Sequence, residues 1–253
     1  MRLTVVGCAG SFPGPDSPAS CYLLEAGGFH VLLDLGNGAL GALQRYADIY
    51  AIDAVLLSHL HPDHCLDLCG YYVARTYRPE GPAPVLPVYG PAATAGRLAD
   101  AYGGGREPGL TDRFEFRTLR DGTPYDVGPM RVIPRRVDHP GEAFGFRIEH
   151  DGAALAYSGD TGPCDALVEL ARDADLFACE AAFHEGRDDG VTGVHLTGRG
   201  AGEHAARARA RRLVLTHLPS WNDPARALAE ARSAYDGPIE LARTGATYDV
   251  GRH

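Results

Sequence analysis

The stretch Ser58-His59-Leu60-His61-Pro62-Asp63-His64 places four potential metal ligands within six residues. It follows the apolar run 54–57, which predicts a buried strand, and it precedes a stretch with helical spacing. Two imidazoles two positions apart at a strand end point to one side, whereas Asp63 and His64 begin the helix and can face a second ion. Histidine nitrogen combined with carboxylate oxygen suits zinc, and also manganese or iron. The stretch therefore predicts a metal centre.

The composition is that of a globular chain with an acidic charge balance. With 253 residues, 45% of them hydrophobic and 23% charged, the chain can bury a large core, which excludes disorder, a coiled coil and a fibre. The formal net charge is −9, whereas a protein that binds a long nucleic acid needs a basic surface to neutralise phosphates. The charge therefore favours a small substrate, and no long nucleic acid is expected as a partner.

The chain shows no sign of a membrane segment. No run approaches the roughly 18 consecutive apolar residues that a spanning helix requires. The apolar run at residues 1–7 reaches a glycine too early to form the core of a signal peptide, and it predicts a first strand instead. We therefore expect no membrane association and a cytoplasmic location.

Short apolar runs and helical stretches divide the chain into elements without a visible linker. The predicted strands are 3–6, 21–25, 31–35, 54–57, 85–89, 131–137, 143–148, 153–158, 176–179 and 213–216. The predicted helices are 39–46, 65–78, 92–102, 164–172, 198–211 and 224–235. Strands dominate the first 60 residues and the stretch 113–158, so the pattern favours an α/β fold in which helices cover sheets, not a simple βαβ series. We expect a single domain over 1–253.

The HxHxDH motif resembles that of the metallo-β-lactamase superfamily, and later stretches match the same family in order. These stretches are Val137-Asp138-His139, Tyr157-Ser158-Gly159-Asp160-Thr161 and Leu215-Thr216-His217-Leu218. The resemblance implies a four-layer αββα sandwich. It also implies two divalent metal ions, zinc being favoured over manganese or iron. One ion is then held by His59, His61 and His139, the other by Asp63, His64 and His217, and Asp160 bridges them.

Two further stretches, Cys179-Glu180-Ala181-Ala182-Phe183 and Val194-His195-Leu196-Thr197-Gly198, resemble those of the tRNase Z-like phosphodiesterases. This resemblance assigns Glu180 and His195, together with Asp63, to catalysis: a histidinium held by a carboxylate protonates the leaving oxygen. Within the branch, the chain resembles most the short actinobacterial atypical class II cyclic-nucleotide phosphodiesterases. The interval 140–159 lacks the tRNA-binding arm that true tRNase Z inserts there, which argues against tRNA maturation.

The resulting hypothesis is a dinuclear phosphodiesterase for a small phosphodiester, above all 3′,5′-cyclic AMP, with the 5′-monophosphate as product. A tRNase Z-like ribonuclease and a phosphodiesterase for 2′,3′-cyclic or phosphonate-pathway esters are the alternatives. β-Lactam or thioester hydrolysis needs no Glu180/His195 pair, so both activities are less favoured. A non-catalytic binding protein is also less favoured, because the set of metal ligands is complete. The resemblance also implies a homodimer, because relatives commonly pair as dimers.

Other residues near the motifs have two interpretations each. Asp34 ends a predicted strand and either orients the HxHxDH loop as a hydrogen-bond acceptor or forms a structural turn. Cys65 and Cys69, four residues apart on a predicted helix, are either buried hydrophobes or an accessory metal site.

Candidate substrate contacts lie in two places. Ser17 belongs to the N-terminal loop 14–20, which resembles that of the cyclic-nucleotide enzymes. Arg75, Tyr77 and Arg78 follow the metal motif and either meet a phosphate or base or are solvated surface residues.

Overall fold

The computed structural model describes residues 1–105 and 107–251. The strands in this part of the chain are β1 (Arg2–Gly7), β2 (Cys21–Ala26), β3 (Phe29–Leu33), β4 (Ala54–Leu56), β5 (Leu86–Gly90), β6 (Phe114–Thr118), β7 (Tyr125–Val127), β8 (Met130–Arg136), β9 (Phe144–His150), β10 (Ala153–Tyr157), β11 (Leu176–Glu180), β12 (Leu213–Thr216), β13 (Ile239–Leu241) and β14 (Thr247–Asp249).

The helices are short. They are α1 (Ala39–Leu43), α2 (Pro62–Cys65), α3 (Leu68–Thr76), α4 (Thr94–Tyr102), α5 (Asp165–Leu170), α6 (Gly198–Ala208) and α7 (Pro224–Arg232), with a 3-10 turn at Ile49–Ala51. Among the described residues, none of these helices combines the length and apolar character that crossing a membrane requires.

The strands form two seven-stranded sheets with matching layouts. The first has the order β14-β1-β2-β3-β4-β5-β6 and the second β13-β12-β11-β10-β9-β8-β7. In the first sheet β3 to β6 run parallel, and in the second β10 to β13 run parallel. Because the carboxyl ends of parallel strands meet at one edge, the loops that follow β4, β10 and β12 can converge.

Three buried apolar clusters separate four layers. Leu24 on β2 and Phe146 on β9 meet in the cluster between the two sheets. Leu98 on α4 packs on the outer face of the first sheet, and Leu167 and Ala201, on α5 and α6, pack on the outer face of the second. Burying each leucine or phenylalanine stabilises the fold by about 1.5–3 kcal/mol relative to exposing it. The predicted αββα sandwich and single domain are confirmed.

The predicted helix 65–78 is wrong as one element, because the chain turns between α2 and α3. At this turn the Asp67 backbone N–H donates to the Leu35 carbonyl at 3.2 Å. The Asp67 carboxylate accepts from the Leu40 backbone N–H at 2.8 Å. These contacts with distant loop residues override the local helical spacing.

The accessory metal site at Cys65 and Cys69 is not formed. The two residues lie on different helices, and their thiols donate to the carbonyls of His61 and Leu98, at 3.3 and 3.8 Å. Burial raises the pKa of Cys65 to about 12 and also raises the pKa of Cys69, so both thiols stay protonated and are poor metal ligands. Among the described residues, the groups able to hold a metal contain no cysteine.

Four strands lie outside the predicted set, namely β6, β7, β13 and β14. Each is three to five residues long, and all four are the edge strands of their sheets. Edge strands are kept short and charged, so their alternation is weak. In β6, for example, Glu115 and Arg117 form an exposed ion pair. Such strands are defined by the neighbour they pair with and not by their own sequence.

Candidate metal centre

Four strand ends bring seven side chains together where the two sheets meet. The loop after β4 supplies His59, His61, Asp63 and His64, and the residues after β8, β10 and β12 supply His139, Asp160 and His217. We call His59, His61 and His139 the outer cluster and Asp63, His64, Asp160 and His217 the inner cluster. Within each cluster one potential ligand atom per residue lies within 4.8 Å of the others.

The outer cluster consists of three imidazoles. The Nδ1 atom of His61 lies 3.0 Å from the Nε2 atom of His59 and 3.1 Å from the Nε2 atom of His139. Desolvation, only partial at His61, lowers the pKa values of all three residues, which keeps the rings neutral and their lone pairs available to a cation.

The inner cluster adds two carboxylates and is buried throughout. The Nε2 atom of His217 lies 3.1 Å from Asp63 Oδ2, 3.2 Å from His64 Nε2 and 3.4 Å from Asp160 Oδ2. Asp160 also approaches the outer cluster, since its Oδ2 atom lies 3.7 Å from His59 Nε2. Its carboxylate is thus the one placed between both clusters.

The donor set fits a pair of metal ions. Ligands at zinc–nitrogen distances of about 2.0–2.1 Å in a tetrahedron lie about 3.3 Å apart, close to the spacings above. Ring nitrogens that face each other at such distances converge on a common point. Burial lowers the pKa of His64, but Asp160 and Asp34 outweigh it and raise that pKa well above its usual value. The carboxylates around His64 thus stabilise a positive charge in the inner cluster, and a bound metal cation would supply one.

Hydrogen bonds behind the clusters fix the imidazoles. His64 Nδ1 lies 2.8 Å from Asp34 Oδ2, and His139 Nδ1 lies 2.7 Å from the Val194 carbonyl. Asp34 also accepts from the Ser58 backbone N–H at 2.7 Å and from the Tyr157 hydroxyl at 2.7 Å. Each Nδ1–H donated backward leaves Nε2 free for a metal. The structure thus places Asp34 where it can orient the motif loop.

Ser58 and Tyr157 also support this arrangement, although neither is among the predicted site residues. Ser58 opens the quoted motif, and Tyr157 precedes the Ser158-Gly159-Asp160 segment. Their position next to a motif was the available signal.

Glycines allow the loops to approach this closely. A Cβ on Gly36 would lie 1.9 Å from the Asp63 carbonyl oxygen. Gly159 has a φ of +58°, and a Cβ there would lie 2.7 Å from the Phe144 carbonyl oxygen and 2.9 Å from Ser58 Cβ. Both positions therefore require glycine.

Glu180 and His195 form a pair beside the two clusters. Glu180 is fully buried, accepts from the Thr161 backbone N–H at 2.8 Å, and lies 2.8 Å from His195 Nδ1. His195 Nδ1 in turn lies 4.0 Å from Asp160 Oδ2. Burial lowers the pKa of His195, but the Glu180 carboxylate outweighs this effect and raises the pKa to about 9. The geometry suits a protonated imidazole beside the metal ligands.

The predicted substrate contacts at Arg75, Tyr77 and Arg78 are not brought to the clusters. Arg75 is buried, and its guanidinium donates to the Tyr71 hydroxyl and the Pro84 carbonyl. Arg75 is therefore not accessible to a substrate, and the prediction that it contacts one is wrong. Tyr77 is 71% exposed.

Arg78 and Ser17 also have their contacts elsewhere. Arg78 pairs with Glu80 at 3.6 Å and lies over the Tyr50 ring. The Ser17 hydroxyl accepts from the Cys8 backbone N–H at 2.9 Å and donates to the Pro18 carbonyl at 2.9 Å, so it stabilises its own loop.

The fold and donor set together define a metal-dependent hydrolase, and comparison with known proteins gives the family. The Beta-lactamase superfamily domain matches residues 30–218. An uncharacterized protein of Mycobacterium leprae is 48% identical over 99% of this chain and 89% of its own. A ribonuclease Z of Myxococcus xanthus is 30% identical over 99% of this chain and 98% of its own. The chain belongs to the β-lactamase superfamily, as a member with the metallo-β-lactamase fold.

A solved structure shows the same architecture. The crystal structure of the metallo-β-lactamase fold protein YhfI from Bacillus subtilis superimposes with a TM-score of 0.88 and 27% identity, covering 98% of this chain and 99% of that one. The predicted superfamily is thereby confirmed, with relatives that include a ribonuclease Z. The narrower resemblance to cyclic-nucleotide phosphodiesterases stays a prediction.

Proposed function

We propose that the protein is a dinuclear phosphodiesterase that hydrolyses a small phosphodiester, 3′,5′-cyclic AMP above all, to the 5′-monophosphate. The observation that carries this proposal is the 2.8 Å contact between Glu180 and His195, whose Nδ1 atom lies 4.0 Å from the Asp160 carboxylate. An alkoxide is a poor leaving group, so a phosphodiesterase gains from a proton donor at this point. A thioester releases a thiolate, which leaves without a proton, so its hydrolysis does not need such a donor.

The residues of the site have distinct tasks. The outer and inner clusters would each hold one divalent cation, and such a pair lowers the pKa of a water and neutralises phosphoryl oxygens. Asp63 and Asp160 contribute the negative charge of the inner cluster. His195 donates a proton to the departing ester oxygen, and Glu180 stabilises the imidazolium before that transfer. Because Glu180 also accepts backbone N–H groups, it cannot swing away from His195.

The interval between His139 and Asp160 supports a small substrate. It contains β9 and β10, which pair antiparallel and are joined by the turn at Asp151 and Gly152. No room is left there for an inserted arm that would grip a folded RNA. The formal net charge of −9 favours the same conclusion.

A ribonuclease is the second candidate, because the ribonuclease Z of Myxococcus xanthus is 30% identical over nearly the full length of both chains. Parallel assays of 3′,5′-cyclic AMP, 2′,3′-cyclic AMP and a precursor tRNA distinguish the candidates. We expect turnover of the 3′,5′-cyclic nucleotide and none of the tRNA. Cleavage of the tRNA alone would replace the proposal with the ribonuclease.

The proton-donor role is tested with two leaving groups. We expect His195→Ala to lower kcat on cyclic AMP by about 10²–10⁴-fold, the usual contribution of general acid catalysis. The loss on bis(p-nitrophenyl) phosphate should stay below about tenfold, because its phenolate leaves without a proton. His150→Ala is the matched control, since His150 contacts the Pro129 carbonyl outside the clusters. Equal losses on both substrates would contradict the role of His195.

A further inference from the structure

A cleft of about 280 Å³ opens directly beside His195 and is unused by the mechanism above. Its walls include Phe183, Arg187, Trp221 and Ser11. His195 itself lines the cleft, so the group that receives its proton faces this space. The cleft is therefore placed for the leaving portion of a substrate.

Trp221 forms part of the rim of the cleft and packs against Phe12. Trp221 is the only tryptophan of the chain, and 64% of its surface is exposed. Its ring centroid lies 4.7 Å from that of Phe12, at an interplanar angle of 39°. Phe12 thus supports one part of the indole, while the rest is open to the cleft. Exposing a large aromatic side chain to water beside a catalytic group is unfavourable unless a ligand covers it.

The loop that carries Trp221 is anchored rather than loose. The neighbouring Asn222 is buried, and its amide nitrogen donates to the Ala182 carbonyl at 2.7 Å. Its amide oxygen accepts from Arg187 Nη1, also at 2.7 Å. Asn222 therefore fixes the loop of Trp221 to Arg187 and to Ala182, both of which line the cleft.

The part of the lining formed by Arg187 and Asp188 is polar but has no net charge. The Arg187 guanidinium donates through Nε and Nη2 to the Asp188 carboxylate, at 2.9 and 2.6 Å. Asp188 also accepts from the His184 backbone N–H at 2.8 Å, so the ion pair is held in place. An arginine neutralised in this way does not favour a second anionic group. A cleft lined by this neutral ion pair and by the indole suits a neutral planar group with hydrogen-bonding edges.

We propose that this cleft binds the nucleobase of the substrate, with the base stacked on Trp221. The inference rests on the proposed phosphodiesterase function and adds to it the subsite that binds the base of the nucleotide. Stacking on an aromatic face accepts any base, because every base has a π-face. Trp221 is then a specificity residue that separates nucleotides from other small phosphodiesters.

The first test uses Trp221 as a reporter in the metal-loaded protein. Because the chain has one tryptophan, its fluorescence reports this cleft alone. We expect AMP to quench the emission with saturation, and ribose 5-phosphate, which lacks the base, to leave it unchanged. Equal quenching by both compounds, or by neither, would overturn the proposal. This readout does not depend on hydrolysis, so it also tests the cleft if no cyclic nucleotide is turned over.

The second test compares variants on cyclic AMP. We expect Trp221→Ala to raise KM by about tenfold or more, with a smaller change in kcat, because a stacked base contributes about that much to binding. Trp221→Phe keeps a ring and should restore most of the affinity. Tyr102→Ala removes an exposed aromatic ring that packs on Tyr72 outside the cleft, and it should leave KM unchanged. A KM within twofold of the parent in Trp221→Ala would overturn the proposal.

The two failures are distinguishable. If the parent protein hydrolyses no phosphodiester, the proposed function is rejected, whatever the fluorescence shows. Hydrolysis of cyclic AMP that is indifferent to Trp221→Ala would reject only the base-binding cleft. Inhibition of bis(p-nitrophenyl) phosphate hydrolysis by AMP and by ribose 5-phosphate gives a further check. We expect Trp221→Ala to weaken inhibition by AMP alone.

Discussion

The inner and outer clusters differ in burial and in charge. The inner cluster has four buried residues, two of them carboxylates, and Asp34 lies directly behind His64. The outer cluster has three neutral imidazoles, and one of them, on His61, is exposed. The outer cluster also opens into a second cleft of about 280 Å³. A cation should therefore be held more firmly in the inner cluster, whereas the outer one is accessible to chelators and substrate.

Asp160→Asn is expected to have the largest effect, because it removes the carboxylate shared by both clusters. We expect kcat on bis(p-nitrophenyl) phosphate to fall by about 10³-fold or more, the equivalent of several kcal/mol of transition-state stabilisation. Elemental analysis should find fewer than two metal ions per chain. Asp165→Asn is the control, since Asp165 is exposed and pairs with Arg207 on the surface. Retention of two ions and full activity in Asp160→Asn would show that the clusters do not share this ligand.

Asp34→Asn sharpens the comparison, because it affects the inner cluster from behind. In the parent protein the Asp34 carboxylate faces hydrogen-bond donors, including His64 Nδ1 and the Tyr157 hydroxyl. In the variant these donors would face the NH₂ group of the amide, which is itself a donor. We expect metal affinity or activity to fall by about 10–100-fold, as for other residues that orient metal-binding histidines. The inner ion should be lost first in a chelator titration. Asp53→Asn is the control, since Asp53 is half-buried and accepts from the His30 backbone N–H.

In the parent protein we expect the chelator to remove the outer ion first. If the outer ion also leaves first in Asp34→Asn, the tighter binding of the inner ion does not depend on Asp34. The contribution of this carboxylate would then lie in folding, which a urea unfolding curve measures directly.

Arg75→Met should leave both clusters intact and is expected to have the smallest effect on activity. The change removes donors to Tyr71 and Pro84 but keeps an unbranched apolar stem. We expect the free energy of unfolding to fall by about 1–3 kcal/mol, the cost of leaving a buried carbonyl without a partner. KM and kcat should stay within about twofold of the parent values. A raised KM with unchanged stability would restore Arg75 as a substrate contact.

The same contrast explains what the sequence could predict. The inner and outer clusters both begin in one loop after β4, so a stretch of seven residues reveals four ligands at once. His139, Asp160 and His217 come singly from three other strand ends, and a lone histidine at a strand end is an ambiguous signal. Their order along the chain, matched to a family, was needed to connect them. The structure brings all seven together.

Other features depend on tertiary contacts that no local pattern encodes. The turn between α2 and α3 is made by bonds from Asp67 to Leu35 and Leu40, far away in the sequence. Arg75 has the spacing of a surface residue on a helix, but the chain around Pro84 covers it. Trp221, which lines the cleft beside His195, packs against Phe12, over two hundred residues away in the sequence. Periodicity predicts faces of helices and strands, and it does not predict which loops meet.

Anomalous X-ray diffraction from crystals grown with zinc, recorded at the zinc absorption edge, tests the central claim most directly. We expect two peaks about 3.5–4 Å apart. One should lie among His59, His61 and His139, the other among Asp63, His64 and His217, and Asp160 should contact both. A single peak, or a second peak outside these side chains, would contradict the dinuclear site.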